Sequence, residues 1–84
     1  MKQKVIGYQF IKYVKDGQEK QGYKFHLVSM DSITDNGEGK VVESIYFNSA
    51  NQGVLIDKFM NLYKSGRPFI VYFNRFGRVD GVIE

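Results

Sequence analysis

The side chains best suited to chemistry lie near the C-terminus, where phenylalanine, tyrosine and arginine are interspersed over residues 69–83. Flat rings can stack on unpaired bases, while guanidinium groups neutralise phosphates and also stack. This mixture favours a surface that holds single-stranded nucleic acid. Phenylalanine and tyrosine are also common in strands for purely structural reasons, so that interpretation stays open for each of these rings.

Catalytic and metal-binding constellations are not evident in this chain. It has no cysteine and a single histidine, so a His/Cys metal cluster cannot form within one chain. A serine-histidine-acid arrangement would require His26, which lies among large hydrophobic residues in a strand-like segment, to meet both partners by chance. Residues 37–39 and 77–81 lack the glycine spacing of phosphate-binding loops. We therefore expect no enzyme activity, no metal and no cofactor.

The overall composition indicates one small basic domain. The chain has 84 residues, enough for a single domain over residues 1–84 with one small core. Its net charge of +3 and pI of about 9.2 favour polyanionic partners only mildly. The absence of cysteine suits a reducing compartment, and apolar runs are short. These features predict a cytoplasmic protein that does not bind membranes.

Three strand-like segments occupy the first half of the chain. Residues 4–15 form a long strand pattern with a bulge signal at Gly7, and Asp16-Gly17 is a hairpin signal. Residues 22–30 alternate, and their predicted faces are Tyr23, Phe25 and Leu27 against Lys24, His26 and Val28. A polar loop is expected over residues 31–40. A third strand over residues 40–48 would separate Val41, Glu43, Ile45 and Phe47 from Val42, Ser44 and Tyr46.

A helix and a second hairpin follow. Ser49 and Gln52 have the spacing of a capping box, which predicts that a helix begins there. Its core-facing stripe comprises Leu55, Ile56, Phe59, Met60, Leu62 and Tyr63. Gly66 and Pro68 then end the helix. Two last strands would be joined by residues 74–77, with Gly77 at positive φ and with Phe69, Val71 and Phe73 facing the core.

The predicted fold is mostly β with one helix, in the order β-β-β-α-β-β. Five strands with a helix after the third match a small OB-fold-like five-stranded barrel. The same elements also fit an open antiparallel sheet with one packed helix, and this alternative remains open.

The element order, the strand Tyr23–Val28 and residues 71–79 (VYFNRFGRV) resemble small OB-fold single-stranded-DNA-binding proteins of phages and mobile elements of Gram-positive bacteria. The similarity extends over most of the chain. It implies sequence-tolerant binding of single-stranded DNA during replication or transfer, often by a dimer. By this resemblance, Tyr72, Arg75 and Arg78 would contact DNA, with Lys24 and Tyr46 contributing from the sheet.

We therefore predict that the chain binds single-stranded DNA through an aromatic and basic sheet face, with RNA and a homodimer as open alternatives. The predicted nucleic-acid-binding residues are Lys12, Tyr13, Lys24, His26, Tyr46, Tyr72, Arg75, Phe76 and Arg78. A small protein-interaction module of a phage or mobile element is the competing prediction. It would dock through exposed aromatics or a strand edge, since tyrosine and arginine are also enriched at protein interfaces.

Overall fold

The computed structural model describes residues 2–32 and 37–84, and these contain five strands and one helix. The elements are β1 (Gln3–Lys15), β2 (Gln18–Ser32), β3 (Lys40–Asn48), α1 (Gly53–Ser65), β4 (Ile70–Phe73) and β5 (Val79–Ile83). The mostly β content and the order β-β-β-α-β-β confirm the sequence prediction. The polar loop predicted over residues 31–40 lies partly outside the described residues.

Strands β1, β2 and β3 form an antiparallel sheet in that order. Asp16 and Gly17 have φ of 53° and 74°, as a two-residue type I′ turn requires. Because that tight turn leaves Lys15 paired with Gln18, β2 begins at Gln18 and not at residue 22 as predicted. The β1–β2 register shifts between Val5 and Gly7, which confirms the bulge expected near Gly7.

Strands β4 and β5 form a separate two-stranded antiparallel hairpin. This hairpin is tied to the start of β1, because Gln3 and Phe69 exchange two main-chain hydrogen bonds of 2.7 and 2.9 Å. No strand pairing between β3 and β5 occurs within residues 2–32 and 37–84. These residues therefore form two open antiparallel sheets and no closed barrel.

The core lies between one face of the three-stranded sheet, the helix and the hairpin. Its buried side chains are Val5, Phe25, Leu27, Phe47, Ile56, Phe59, Leu62 and Phe69. Phe59 is central, since its ring centroid lies 5.0 Å from that of Phe47 and 5.5 Å from those of Phe25 and Phe69. The predicted helix stripe is thus confirmed at its buried positions, whereas Tyr63 remains 40% exposed.

The C-terminal end of α1 agrees with the sequence prediction, whereas its N-terminal end does not. Gly66 adopts φ 69°, and its N–H donates to the carbonyl of Leu62, which is the expected glycine termination. The predicted capping box is wrong, because Gln52 is the N-cap and no side chain caps the helix. Gln52 Oε1 instead accepts a hydrogen bond of 2.9 Å from the N–H of Asn48 at the end of β3.

Of the three side chains at the start of the second hairpin that were predicted to face the core, the last one does not. Phe69 is buried and Val71 packs against the core, but the Phe73 side chain is 54% exposed. The β4–β5 register shifts between Tyr72 and Phe73. Phe73 therefore no longer continues the buried row, and the prediction of its burial is wrong.

No helix within the described residues is long and apolar enough to cross a membrane.

Candidate nucleic-acid interface

The three-stranded sheet has two distinct faces, which we call the helix face and the open face. Residues paired directly across strands share a face, so the register assigns them. Tyr23, Phe25 and Leu27 face the helix with their partners in β1 and β3. The open face carries Gln9, Ile11, Tyr13, Lys24, His26, Val28, Val42, Ser44 and Tyr46. The alternation predicted for β2 and β3 is therefore confirmed.

Acidic side chains are segregated to one of these two faces. Along the continuous ladders, the cations of the open face are Lys4, Lys15, Lys20 and Lys24. No aspartate or glutamate shares that face in these ladders, whereas Glu19 and Glu43 lie on the helix face. The Lys4 side chain turns toward Gly66 at the end of α1, so three lysines remain on the sheet itself. Such an arrangement gives the open face a positive potential.

Two tyrosines provide the aromatic part of the open face. The ring centroids of Tyr13 and Tyr46 lie 6.1 Å apart at an interplanar angle of 62°. Tyr46 lies over Gly22, where an added Cβ would meet the main-chain oxygen of Phe47 and come within 2.6 Å of the Tyr46 hydroxyl. Burial and the adjacent Tyr13 hydroxyl raise the pKa of Tyr46 above its usual range. The absence of a side chain at Gly22 thus leaves room for the Tyr46 ring.

His26 links all three strands through its two ring nitrogens. Nε2 lies 3.1 Å from Gln9 Oε1, and Nδ1 lies 2.8 Å from Ser44 Oγ. These two contacts hold the ring between β1 and β3. Both nitrogens are engaged, which agrees with a surface strand residue.

No group of three or more potential metal-ligating side chains occurs among residues 2–32 and 37–84.

The hairpin loop, residues 74–78, is organised by the side chain of Asn74. Asn74 Oδ1 accepts hydrogen bonds from the N–H groups of Phe76 (2.9 Å) and Arg78 (3.1 Å). Gly77 adopts φ 78°, as its place in the turn predicted. The Arg75 guanidinium lies 4.9 Å from the centroid of the Phe76 ring, which is 73% exposed. A cation and a flat ring are therefore presented together at the loop tip.

An open cleft of about 550 Å³, which we call the edge cleft, separates β3 from the hairpin loop. It is lined by residues 44–48, Asn51, Gln52, Phe73 and residues 77–79. Tyr46 and Arg78 thus line the same cleft from opposite sides. This cleft joins the open face to the hairpin loop, and among the described residues no aspartate or glutamate lines it.

The structure brings together most of the residues predicted from sequence. Tyr13, Lys24, His26 and Tyr46 share the open face, and Arg78 lies across the edge cleft from Tyr46. Arg75 and Phe76 occupy the nearby loop tip.

Two predicted residues lie elsewhere. Neighbouring strand residues point to opposite faces, so Lys12 cannot share the face of Tyr13. Lys12 lies on the helix face, and its Nζ is 2.8 Å from the Glu19 carboxylate. Tyr72 lies with its paired Gly81 on the opposite side of the hairpin from Val71, with its ring across that glycine.

Sequence reasoning missed several residues of this surface. Lys15 and Lys20 could have been found, because a two-residue turn at Asp16-Gly17 fixes the register of both strands and continues the alternation through them. Phe73 had no comparable signal, and the Ser49–Gln52 pattern indicated that the Gln52 side chain reaches back to a main-chain N–H but not that this N–H belongs to Asn48. Their positions follow from a register shift and from a contact across the end of β3.

No family model, curated protein or solved structure matches this chain significantly.

Proposed function

We propose that this protein binds single-stranded DNA, with little sequence preference, along the open face and across the edge cleft to the hairpin loop. The observation that carries this proposal is the segregation of charge. Lys15, Lys20 and Lys24 share a face with Tyr13 and Tyr46, and the described strand ladders place no acidic side chain on it. Lysines neutralise phosphates and rings stack on bases, which are the two requirements for holding a single strand.

The arrangement of the strands supports an OB-fold interpretation. The Gln3–Phe69 pair links β4 to β1, so the strands follow one another around the molecule as β3, β2, β1, β4 and β5. Pairing between β5 and β3 would close this circle, and the edge cleft lies where that pairing is missing. We therefore interpret the two sheets as an incompletely closed OB-fold barrel.

The proposed binding surface corresponds to the one that OB-folds commonly use. In that fold, the face of strands 2 and 3 and the loops after strands 1 and 4 bind oligonucleotides. The open face of β2 and β3 and the hairpin loop occupy those positions here. This support is an analogy of fold, and the charge segregation is independent of it.

A salt titration tests the proposal. Binding of a labelled oligo-dT, followed by fluorescence anisotropy, should weaken steeply as NaCl rises. Each phosphate contact with a single strand contributes about 0.7 to the slope of log K against log salt. The double variant Lys20→Gln, Lys24→Gln should therefore lower that slope by up to about 1.4. Arg75→Ala with Arg78→Ala should flatten it in the same direction.

Lys12→Gln is the matched control, because it makes the same chemical change on the opposite face of the same sheet. Its salt slope should equal that of the wild type. If the salt slope falls equally in the control and in the open-face variants, the proposed surface is contradicted. If the protein does not bind oligo-dT at low salt, the proposal fails altogether. A parallel titration with oligo-U compares RNA with DNA.

Protein docking is the second candidate function, and a separate apolar patch supports it. Tyr8, Phe10, Val14 and Tyr63 are all exposed, and the rings of Tyr8 and Tyr63 lie 5.3 Å apart. Clustered exposed apolar side chains commonly mark interaction surfaces. A partner retained after nuclease treatment and lost in Phe10→Ser would support docking. Sedimentation of the same variant tests whether a second copy of this chain is the partner.

A further inference from the structure

Main-chain groups at the outer edge of β3 form part of the edge cleft. The N–H of Ser49 donates to the carbonyl of Gln21 at 3.0 Å, so the odd-numbered residues of β3 bond to β2. The main-chain groups of Ser44 and Tyr46 consequently point outward to the cleft. At Asn48, both outward groups are already paired with Gln52, through its side-chain Oε1 and its N–H.

Two of the residues that line the cleft carry side-chain amides whose oxygens already accept hydrogen bonds. Gln52 Oε1 accepts from the Asn48 N–H at 2.9 Å, and Asn48 Oδ1 accepts from the Ala50 N–H at 2.8 Å. Their NH₂ groups donate to no other described residue. The Arg78 guanidinium adds further donors, and no carboxylate from residues 2–32 or 37–84 lines the cleft. These three side chains therefore supply mainly donors, while the Asn51 amide, which also lines the cleft, can donate or accept.

An aromatic wall completes the site. Phe73 lines the edge cleft and is 54% exposed. The alternate residues before it, Phe69 and Val71, face the core instead. The cleft volume of about 550 Å³ lies within the range of about 300–1,000 Å³ that is usual for small-ligand sites. A flat ring beside a cluster of donors suits a flat ligand whose edge is rich in acceptors.

We propose that the edge cleft holds one base of the bound strand and selects thymine or uracil. This inference rests on the proposed nucleic-acid binding and adds a base preference to it. Both exocyclic polar groups of thymine and uracil are carbonyl oxygens, whereas the other bases carry an amino donor. An amino group facing the NH₂ groups of Asn48 and Gln52 would leave donors unpaired, which weakens binding. The outward main-chain carbonyls of Ser44 and Tyr46 can accept from the ring N–H.

The base preference can be measured on the full chain with oligo-dT and oligo-dC of equal length at one salt concentration. The wild type should bind oligo-dT about fivefold more tightly or better, as expected for one well-made contact to a base edge. Gln52→Glu keeps the oxygen that accepts from Asn48 and replaces the donor with an acceptor. Its dT:dC affinity ratio should fall to about one or invert, and this ratio cancels the general effect of the added charge.

Phe73→Leu tests the stacking wall, and Phe10→Leu is its matched control. The two rings are almost equally exposed, at 54% and 53%, but Phe10 lies on the helix face. Phe73→Leu should weaken oligo-dT binding about fivefold or more, as loss of one stacked base predicts. Phe10→Leu should leave it unchanged.

The outcomes separate the two proposals. Equal wild-type affinities for oligo-dT and oligo-dC overturn the base preference and leave nucleic-acid binding intact. The base preference is also overturned if Gln52→Glu leaves the dT:dC affinity ratio unchanged while its circular dichroism spectrum matches that of the wild type. If that variant does not fold, equal effects of Phe73→Leu and Phe10→Leu overturn the cleft as a site. Absence of binding to either oligonucleotide at low salt overturns both proposals.

Discussion

Replacing Gly22 with alanine tests the packing that holds the open face in place. Gly22 is buried in β2, and a Cβ there would meet the main-chain oxygen of Phe47 and the hydroxyl of Tyr46. The ring can swing away, but the carbonyl belongs to β3 and cannot move without disturbing the ladder. Overpacking costs about 1–3 kcal/mol, and a main-chain clash predicts the upper half of that range, about 2–3 kcal/mol.

Thermal unfolding followed by far-UV circular dichroism measures this effect. A domain of this size loses about 4–8 °C in Tm for each kcal/mol, so Gly22→Ala should lower Tm by about 8–24 °C. Adding Tyr46→Ala should not restore it, because the clash with the carbonyl of Phe47 remains. An unchanged Tm, or full recovery in the double variant, would refute this reasoning.

Two other glycines provide matched controls for this substitution. A Cβ at Gly7 meets nothing within 4 Å, so Gly7→Ala should change stability by no more than about 0.5 kcal/mol. At Gly81 the atoms in the way all belong to the Tyr72 side chain. The exposed Tyr72 ring can swing away, so Gly81→Ala should cost less than Gly22→Ala, and any clash should disappear when Tyr72→Ala is added. The double-mutant cycle gives a coupling free energy for this pair.

Three further predictions concern the core, the loop and pH. Phe59→Ala should cost about 3–5 kcal/mol, measured by urea unfolding, because it removes a ring in contact with three others; a midpoint near that of the wild type would contradict this. Asn74→Ala should cost about 1–2 kcal/mol because two N–H groups lose their acceptor, whereas Asn74→Asp should cost less. The Lys58 ammonium group lowers the pKa of the Glu84 carboxyl. The stabilisation that this ion pair contributes should therefore be present above the pKa of Glu84 in the unfolded chain, and it should be lost as pH falls through the pKa of Glu84 in the folded protein. NMR titration should show that Lys58→Gln returns this pKa toward its usual value; no change would count against the ion pair.

Much of the fold was predictable because it depends on local geometry. Alternation along residues 23–28 follows from the two-residue repeat of a strand, and it identified the covered and open sides of β2. Asp16-Gly17 and Gly66 were predictable because tight turns and helix ends require positive φ. Lys12 was misplaced because the strand alternation was not carried through to the neighbouring Tyr13.

The candidate site was less predictable because it combines distant segments. Phe73 is exposed because of a register shift within its own hairpin, which no residue type in β4 signals. The donor bias of the edge cleft depends on Gln52 reaching back to Asn48 across the β3–α1 connection. Each of these contacts is set by main-chain geometry that a residue pattern does not encode.

The sequence by itself determined the order of the strands and helix, the turns, and which side chains of β2 and β3 share a face. These follow from short-range steric and hydrophobic preferences, which act within a few residues. Only the tertiary structure decided that the sheets stay open between β3 and β5, which creates the edge cleft. The physical reason is that the hairpin docks through its core-facing side chains and the Gln3–Phe69 pair, leaving the outer edge of β3 without a neighbouring strand among the described residues.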